Sequence, residues 1–131
     1  MLKNADITVI NHWTDKDGDH YITAYISGVW WYGGTLKSVG DKGLESAASY
    51  KISIYKTSEQ EKPYLPYSSW ANLEDKREAW TLHPGDYIAK GRVSGSITRP
   101  ADFLSQYECA EVIGVKDLRF GSNPYIRVEG K

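Results

Sequence analysis

Two runs near the start of the chain, "DITVINHW" (6–13) and "HYITAYISGVWWY" (20–32), are dense in β-branched and aromatic residues, the composition of strands. Between them, "TDKDGD" contains Asp17-Gly18, a strong hairpin signal because glycine accepts the positive φ that primed turns require. The two runs are read as the arms of a hairpin. Asp15, Asp17 and Asp19 also alternate as in a calcium loop. Gly18 sits at the wrong position for one, however, and no closing glutamate follows.

Further along, "SYKISIYK" (49–56) alternates: Tyr50, Ile52 and Ile54 make one face, and Lys51, Ser53 and Tyr55 the other, the pattern of a half-exposed strand. Residues 34–47, punctuated by glycines and small polar side chains, read as a loop longer than most connections in a compact domain. A second excursion covers 57–69, where Pro63 and Pro66 exclude a regular central strand. Trp70, Leu73 and Trp80 share one face of a helical pattern, which predicts a helix over 70–80 capped by Ser68 or Ser69. Pro84-Gly85 turns the chain into another strand. Pro100 opens a second short helix, 101–107, with Phe103, Leu104 and Tyr107 on its apolar side. The strands "CAEVIGVKDLR" and "YIRVEG" close the chain, joined by the turn "FGSNP". Many short strands with Gly/Pro turns imply a barrel or a sandwich.

The 131 residues favour one domain, 1–131, able to bury a core without disulfide staples. Ten Tyr and five Trp against two Phe and one Met are an unusual aromatic balance. Tyr and Trp suit β-structure, and they also suit surfaces that meet partners. A net charge of −1 gives no global drive toward nucleic acid or an anionic membrane. A single cysteine, Cys109, excludes an internal disulfide. The N-terminal residues do not read as a signal peptide, because Asn4 and Asp6 interrupt any apolar run. The expectation is a protein made in a cytoplasm and not bound to membrane.

Catalytic signatures do not emerge. "GRVSGS" is not a nucleophile elbow, since Ser94 stands one residue late. His12, His20 and His83 lack zinc spacing and read as surface or turn residues. Glu108 and Glu111 fit a solvated strand edge better than an acid–base pair, and Cys109 has no neighbouring base to lower its pKa. No enzyme activity, cofactor or metal is expected.

The distinctive features are therefore aromatic. Successive side chains on a strand point to opposite faces, so Trp30 and Trp31 cannot both enter a one-sided core. Trp30 shares a parity with Ile22, Ala24 and Ile26 and is the core candidate. Trp31, in step with Tyr21, Thr23 and Tyr25, is the candidate for a neighbouring subunit or helix. A bulge at Gly28 reverses this assignment. Tyr32, Tyr64 and Tyr67 join Trp31 as candidate protein-interface anchors, because Tyr and Trp are enriched at such sites.

The order "NADITVIN", "VWWYGG", "WTLHPGDYIAKG" and "LRFGSNPYIRVEGK" resembles small minor structural proteins of tailed phages and prophages of Gram-positive hosts. It is most similar to the head-completion, or stopper, class of head–tail connector. The resemblance covers nearly the whole chain and is strongest in "TLHPGDYIAKG" and "RFGSNPYIRVEGK". It implies a mainly β fold, a small β-barrel of about six strands with two short helices and long loop excursions. It also implies self-association into a ring beneath the phage portal and adaptor, where the ring helps retain packaged DNA and docks the tail. The location implied is the virion head–tail junction, reached from the host cytoplasm during assembly. A loop after the second strand narrows the channel in that class. Here it corresponds to 33–47, where Lys37 and Lys42 would face DNA phosphates.

Two rival readings belong to other classes. A carbohydrate- or cell-wall-binding β module would need a clustered aromatic platform flanked by carboxylates or amides. An OB-like nucleic-acid binder fits the basic character of Lys116, Arg119, Arg127 and Lys131 but not the near-neutral whole.

Overall fold

A computed structural model describes residues 3–33, 50–119 and 124–131. The first two runs form the expected hairpin, β1 (Ala5–Asp15) and β2 (Gly18–Gly33), with Asp15 opposite Gly18. The turn is not primed. Lys16 and Asp17 have no positive φ, and Gly18 alone takes +111°, as in a type I turn closed by a glycine. The Asp17 N–H donates to Asp15 Oδ1 at 2.8 Å, which fixes the corner.

Five further strands follow: β3 (Tyr50–Tyr55), β4 (Glu59–Gln60), β5 (Tyr87–Lys90), β6 (Cys109–Leu118) and β7 (Tyr125–Gly130). Antiparallel pairings run β1–β5–β6–β7–β3–β2 and return to β1, a ring of six strands, while the two-residue β4 adds to β2 at Ile26 and Ser27. The ring closes because two strands change partners along their length. β2 pairs with β1 up to Val29 and with β3 from Trp30 onward. β6 pairs with β5 over 109–111 and with β7 from Val112 onward. Each strand is irregular where it switches, at Gly28 in β2 and between Val112 and Gly114 in β6. An extra residue bends a strand and increases its twist, and that bend turns each strand from one sheet into the next.

The interior is filled by one side chain in two from each strand. Ile7, Val9, Ala24, Ile26, Val29, Ile52, Ile54, Val112, Ile126 and Val128 pack there with Trp80 and Leu82. The expected alternation in 49–56 is present, except that Ser53 is buried as well. A second cluster lies on the outer face of β1 and β5, where Ile10, Ala89, Val93 and Phe103 pack with Tyr21, Tyr87 and Tyr107. β1 is thus buried on both faces from Ile7 to Asn11, which explains its nearly continuous apolar run.

The helices are shorter than the periodicity predicts. In place of a helix over 70–80 there is one turn, α1 (Tyr67–Trp70), then a 3-10 turn at Lys76–Glu78. Neither Ser68 nor Ser69 caps α1, since the N-cap position is Pro66. The Trp70 indole N–H donates to the Ala79 carbonyl at 3.2 Å. A straight helix would hold those residues about 13 Å apart, so the chain doubles back. Trp80 then lies extended, its N–H donating to Pro63 O at 3.0 Å while its carbonyl accepts from Leu65 N–H at 2.9 Å. The spacing of Trp70 and Trp80 records two separate anchors, not one helical face. The second helix, α2 (Ala101–Leu104), starts at Pro100 as expected but stops before 107.

The expected loop over 33–47, with Lys37 and Lys42, lies outside the described residues except for Gly33, as does the turn "FGSNP" except for Pro124. Among the described residues no helix is long and apolar enough to cross a membrane.

Candidate functional site

The adjacent tryptophans are sorted by Gly28. Ala5 pairs with Val29 and Asp6 with Ser27, so Gly28 is the unpaired extra residue of a bulge, with φ +83°. Its polar groups are satisfied by side chains. Its N–H donates to Asp6 Oδ1 at 3.0 Å, and its carbonyl accepts from Ser58 Oγ at 2.6 Å. The Gly28 N–H, with Ser27 Oγ, holds the Asp6 carboxyl below its ordinary pKa. Just beyond the bulge, the Asn4 amide serves as a surrogate strand. It accepts from Trp31 N–H at 2.7 Å and donates to Trp31 O at 3.0 Å.

The extra residue inverts the side-chain parity downstream. Val29 and Trp31 point inward, whereas Trp30 is only half-buried. Trp31 is 4% exposed and packs edge-on against Tyr50 at 5.3 Å, with the Lys90 ammonium 5.5 Å from its ring. The assignment of Trp30 to the core and Trp31 to the outer face is therefore corrected, and Trp31 offers no exposed ring to a partner.

The three candidate tyrosines occupy different environments. Tyr32 is 61% exposed at the end of β2. Tyr67 is 42% exposed and stacks on His83 at 4.1 Å. Tyr64 is half-buried edge-on against Trp80 at 4.9 Å, under the Arg119 guanidinium at 4.8 Å. It lines a cleft of about 450 Å³ with Ile54, Gln60, Pro63 and Ile126.

One feature of the accessible rings weighs on the carbohydrate reading. Cationic or imidazole groups of the same chain stack on many of them: His20 on Trp13, His12 on Tyr21, His83 on Tyr67 and Arg92 on Tyr25. A sugar platform needs a bare aromatic face, and one face of each of these rings is already covered.

The three histidines are not merely solvated. On the hairpin, His12 Nε2 lies 3.0 Å from Asp19 Oδ1, and His20 Nε2 lies 2.8 Å from Asp15 Oδ1. Hydrogen bonds from Thr14 and His12 lower the Asp19 pKa, and one from His20 lowers that of Asp15. The hairpin register was the signal for both pairs. Once Asp15 faces Gly18, His12 and Asp19 fall on one face and Asp15 and His20 on the other.

The third pair is the heart of a buried polar network. Asp86 is fully buried. Its Oδ2 accepts from Asn11 Nδ2 at 3.0 Å and His83 N–H at 3.0 Å, and lies 2.9 Å from His83 Nδ1; its Oδ1 accepts from His12 N–H at 3.1 Å. Asn11 also donates to Thr81 O at 2.7 Å and accepts from Thr81 N–H at 3.2 Å. Burial pushes the Asp86 carboxyl up, against the opposing pull of His83 and the N–H donors.

A His–Asp pair is the base-and-orienter half of a hydrolytic triad. Among the described residues, however, no hydroxyl or thiol is hydrogen-bonded to His83. The Cys109 thiol is half-buried and pushed up to about 11 by burial, and its Sγ donates to Tyr107 O. Glu108 meets the Tyr50 hydroxyl and Lys90, not Glu111. Among the described residues, no group of three or more His, Cys, Asp or Glu side chains is placed to hold a metal ion. The network ties β1 to the turn before β5; its visible role is structural.

Comparison with known proteins gives one family. The one described as "Family of unknown function (DUF6751)" matches residues 2–131, and the chain belongs to it. No curated protein and no solved structure matches.

Proposed function

We propose that this chain is a noncatalytic structural subunit of a tailed-phage head–tail junction. In this reading the six-strand ring is a small β-barrel, and copies assemble into a larger ring below the portal and adaptor, help retain DNA and dock the tail. The resemblance of the sequence motifs supplies the class.

The structural observation that carries the reading is the link between β2 and β3. The two strands are antiparallel, hydrogen-bonded neighbours, a pair that two residues suffice to join. The chain instead spends residues 34–49 there. A connection of sixteen residues is far longer than this pairing needs, and long connections in compact domains are commonly functional, which supports reading it as the channel loop of a ring subunit. The exposed Tyr32, at the start of that connection, and Tyr67 are the interface anchors in this reading. Lys37 and Lys42 are its DNA-facing residues.

The test uses DNA-filled heads from a phage deleted for this coding sequence, mixed with the purified protein and sedimented. Co-sedimentation in a fixed ratio, with recovery of tail joining, is the expected result. A protein that stays in the supernatant while tails join unaided overturns the proposal.

A further inference from the structure

We propose that the free edge of β2 near the hairpin tip is a docking slot for an extended segment of another protein, one alternating basic and apolar residues, which adds there as an extra strand. This inference does not depend on the head–tail reading.

The edge is defined by the pairing pattern. One side of β2 is taken by β1 along the hairpin. The other side is taken by β3 at 30–33, by β4 at 26–27, and lastly by Glu61. Glu61 N–H donates to Tyr25 O at 3.3 Å, and Tyr25 N–H donates to Glu61 Oε1 at 2.8 Å. Backbone groups of an antiparallel strand alternate between its two neighbours. Tyr25 points to this side, and the register is unbroken from Asp19 to Ser27, so Thr23, Tyr21 and Asp19 point there too. Among the described residues nothing pairs with the backbone N–H and C=O of these three on this side. An open row of N–H and C=O groups is a template for strand addition.

The edge is also recessed. It opens on a cleft of about 530 Å³ lined by residues 19–22, with walls from opposite faces of the hairpin. On the inner-face side stand Glu74 and Asp75, anchored where the Lys76 ammonium lies 5.7 Å from the Trp13 ring and 5.6 Å from the Trp70 ring. On the outer-face side stands Ile97, which like Tyr21 packs against the second core cluster. A lone extended segment fits between two walls. The same edge of a second copy brings the same acidic lining and is opposed by like charge, so the occupant is a strand from a different protein.

Charge specifies its chemistry. The slot is lined by four carboxylates, of Asp15, Asp19, Glu74 and Asp75, against Lys76, Arg77 and His20; Asp15 is paired with His20 and Asp19 with His12. Arg77 and Asp75 are committed to each other at 2.9 Å, so Glu74 is the lining carboxylate with no ion-pair partner among the described residues. A strand entering the slot turns alternate side chains to the two walls. Basic residues face Glu74, and apolar ones face Ile97.

The test uses the peptide acetyl-Val-Lys-Val-Lys-Val-Lys-Val-amide, titrated into the full chain while backbone amides are followed by NMR and hydrogen exchange. The expected result is slowed exchange at Asp19, Tyr21 and Thr23, with little change at Ile22. N-methylation of one alternate set of peptide nitrogens abolishes binding; methylation of the other set is tolerated. Glu74→Lys weakens binding about fivefold, the size of a surface charge effect. The glutamate analogue of the peptide binds more weakly still. Equal binding by both N-methylated forms or by the glutamate peptide overturns the proposal. So does protection of the same amides without peptide that grows with protein concentration, which assigns the edge to a second copy. The methylated peptides leave the protein untouched, so the outcome does not hinge on a variant's folding.

Discussion

Asp86 is the residue whose loss has the most calculable consequence. Its two oxygens are used unequally: Oδ2 meets Asn11, His83 N–H and His83 Nδ1, while Oδ1 meets only His12 N–H. Asp86→Asn keeps the shape but can place a single oxygen. With that oxygen on the crowded side, the amide NH2 faces the His12 N–H, and one buried donor is left unsatisfied. The expected cost is about 1–3 kcal/mol. Asp86→Ala strips the acceptor from all the donors at once and leaves His83 without its partner, for about 3–5 kcal/mol. A domain of this size has roughly 5–15 kcal/mol in total, so the alanine variant is near the edge of folding and the asparagine variant is not.

Urea unfolding followed by tryptophan fluorescence measures both, because Trp70 and Trp80 are fully buried. The pH dependence adds a second reading. Burial raises the Asp86 pKa above its ordinary 3.8, so the folded state holds this proton more tightly than the unfolded chain. The stability this contributes is fully present below 3.8 and lost as pH rises through the raised value. The surface carboxylates Asp15, Asp19, Asp75 and Asp117 have lowered pKa values and act in the opposite sense, losing their contribution as pH falls. Subtracting the Asp86→Asn profile from that of the native chain cancels the surface groups. The difference should shrink as pH rises above about 4. An alanine variant within about 0.5 kcal/mol of the native chain, or a flat difference profile, would refute the account of Asp86 as the tie between β1 and the turn before β5.

Three further outcomes are expected. Trp31→Ala costs about 3–5 kcal/mol in the same assay, whereas Trp30→Ala costs about 1 kcal/mol; the reverse order would remove the bulge from the explanation. Gly130→Ala destabilises by about 1–3 kcal/mol, because the added Cβ would lie 2.9 Å from both Ala110 Cβ and the Glu111 backbone oxygen; an unchanged urea midpoint would show that β6 and β7 can part there. Cys109, at about 11 against an ordinary 9.0, holds roughly a hundredfold less thiolate than an unperturbed cysteine at pH 8. Its reaction with a disulfide reagent should be slow when folded and fast in urea, and prompt labelling of the native chain would contradict its burial.

What was legible in the sequence and what was not divide on physical lines. The six strands of the ring were legible because each needs only a local pattern; the two-residue β4, inside the stretch read as an excursion, was not. Alternation in "SYKISIYK" and the Asp-Gly turn locate β3 and the first hairpin without reference to anything distant. The helix over 70–80 failed for the converse reason. Three apolar residues at helical spacing do not distinguish one continuous face from two anchors on a doubled-back chain, and only the contact between Trp70 and Ala79 decides it. The hairpin His–Asp pairs lay between these cases, hidden in the spacing but derivable once the turn register is known. The Asp86 network was beyond reach, since it joins His83 to Asn11 across most of the length of the chain.

The paired tryptophans show how small the missing information can be. Parity along β2 puts Trp30 inside if the strand is regular and Trp31 inside if it holds one extra residue. The local sequence "SGVWW" permits both. The choice is made by residues that the strand itself does not contain: Asp6 on Gly28 N–H, Ser58 on Gly28 O, and Asn4 on both polar groups of Trp31. Each supplies a partner that the bulge would otherwise leave without one, and an unsatisfied backbone group is costly. The same bulge lies where β2 leaves β1 for β3, so the bend that closes the ring and the inversion that buries Trp31 have one cause. That inversion leaves Trp30 half-buried on the outer side while Tyr32 stands exposed at the strand's end. Any partner that meets the end of β2 therefore meets Trp30 and Tyr32, side chains of one parity on one face, in place of the Trp31 that a regular strand would turn outward.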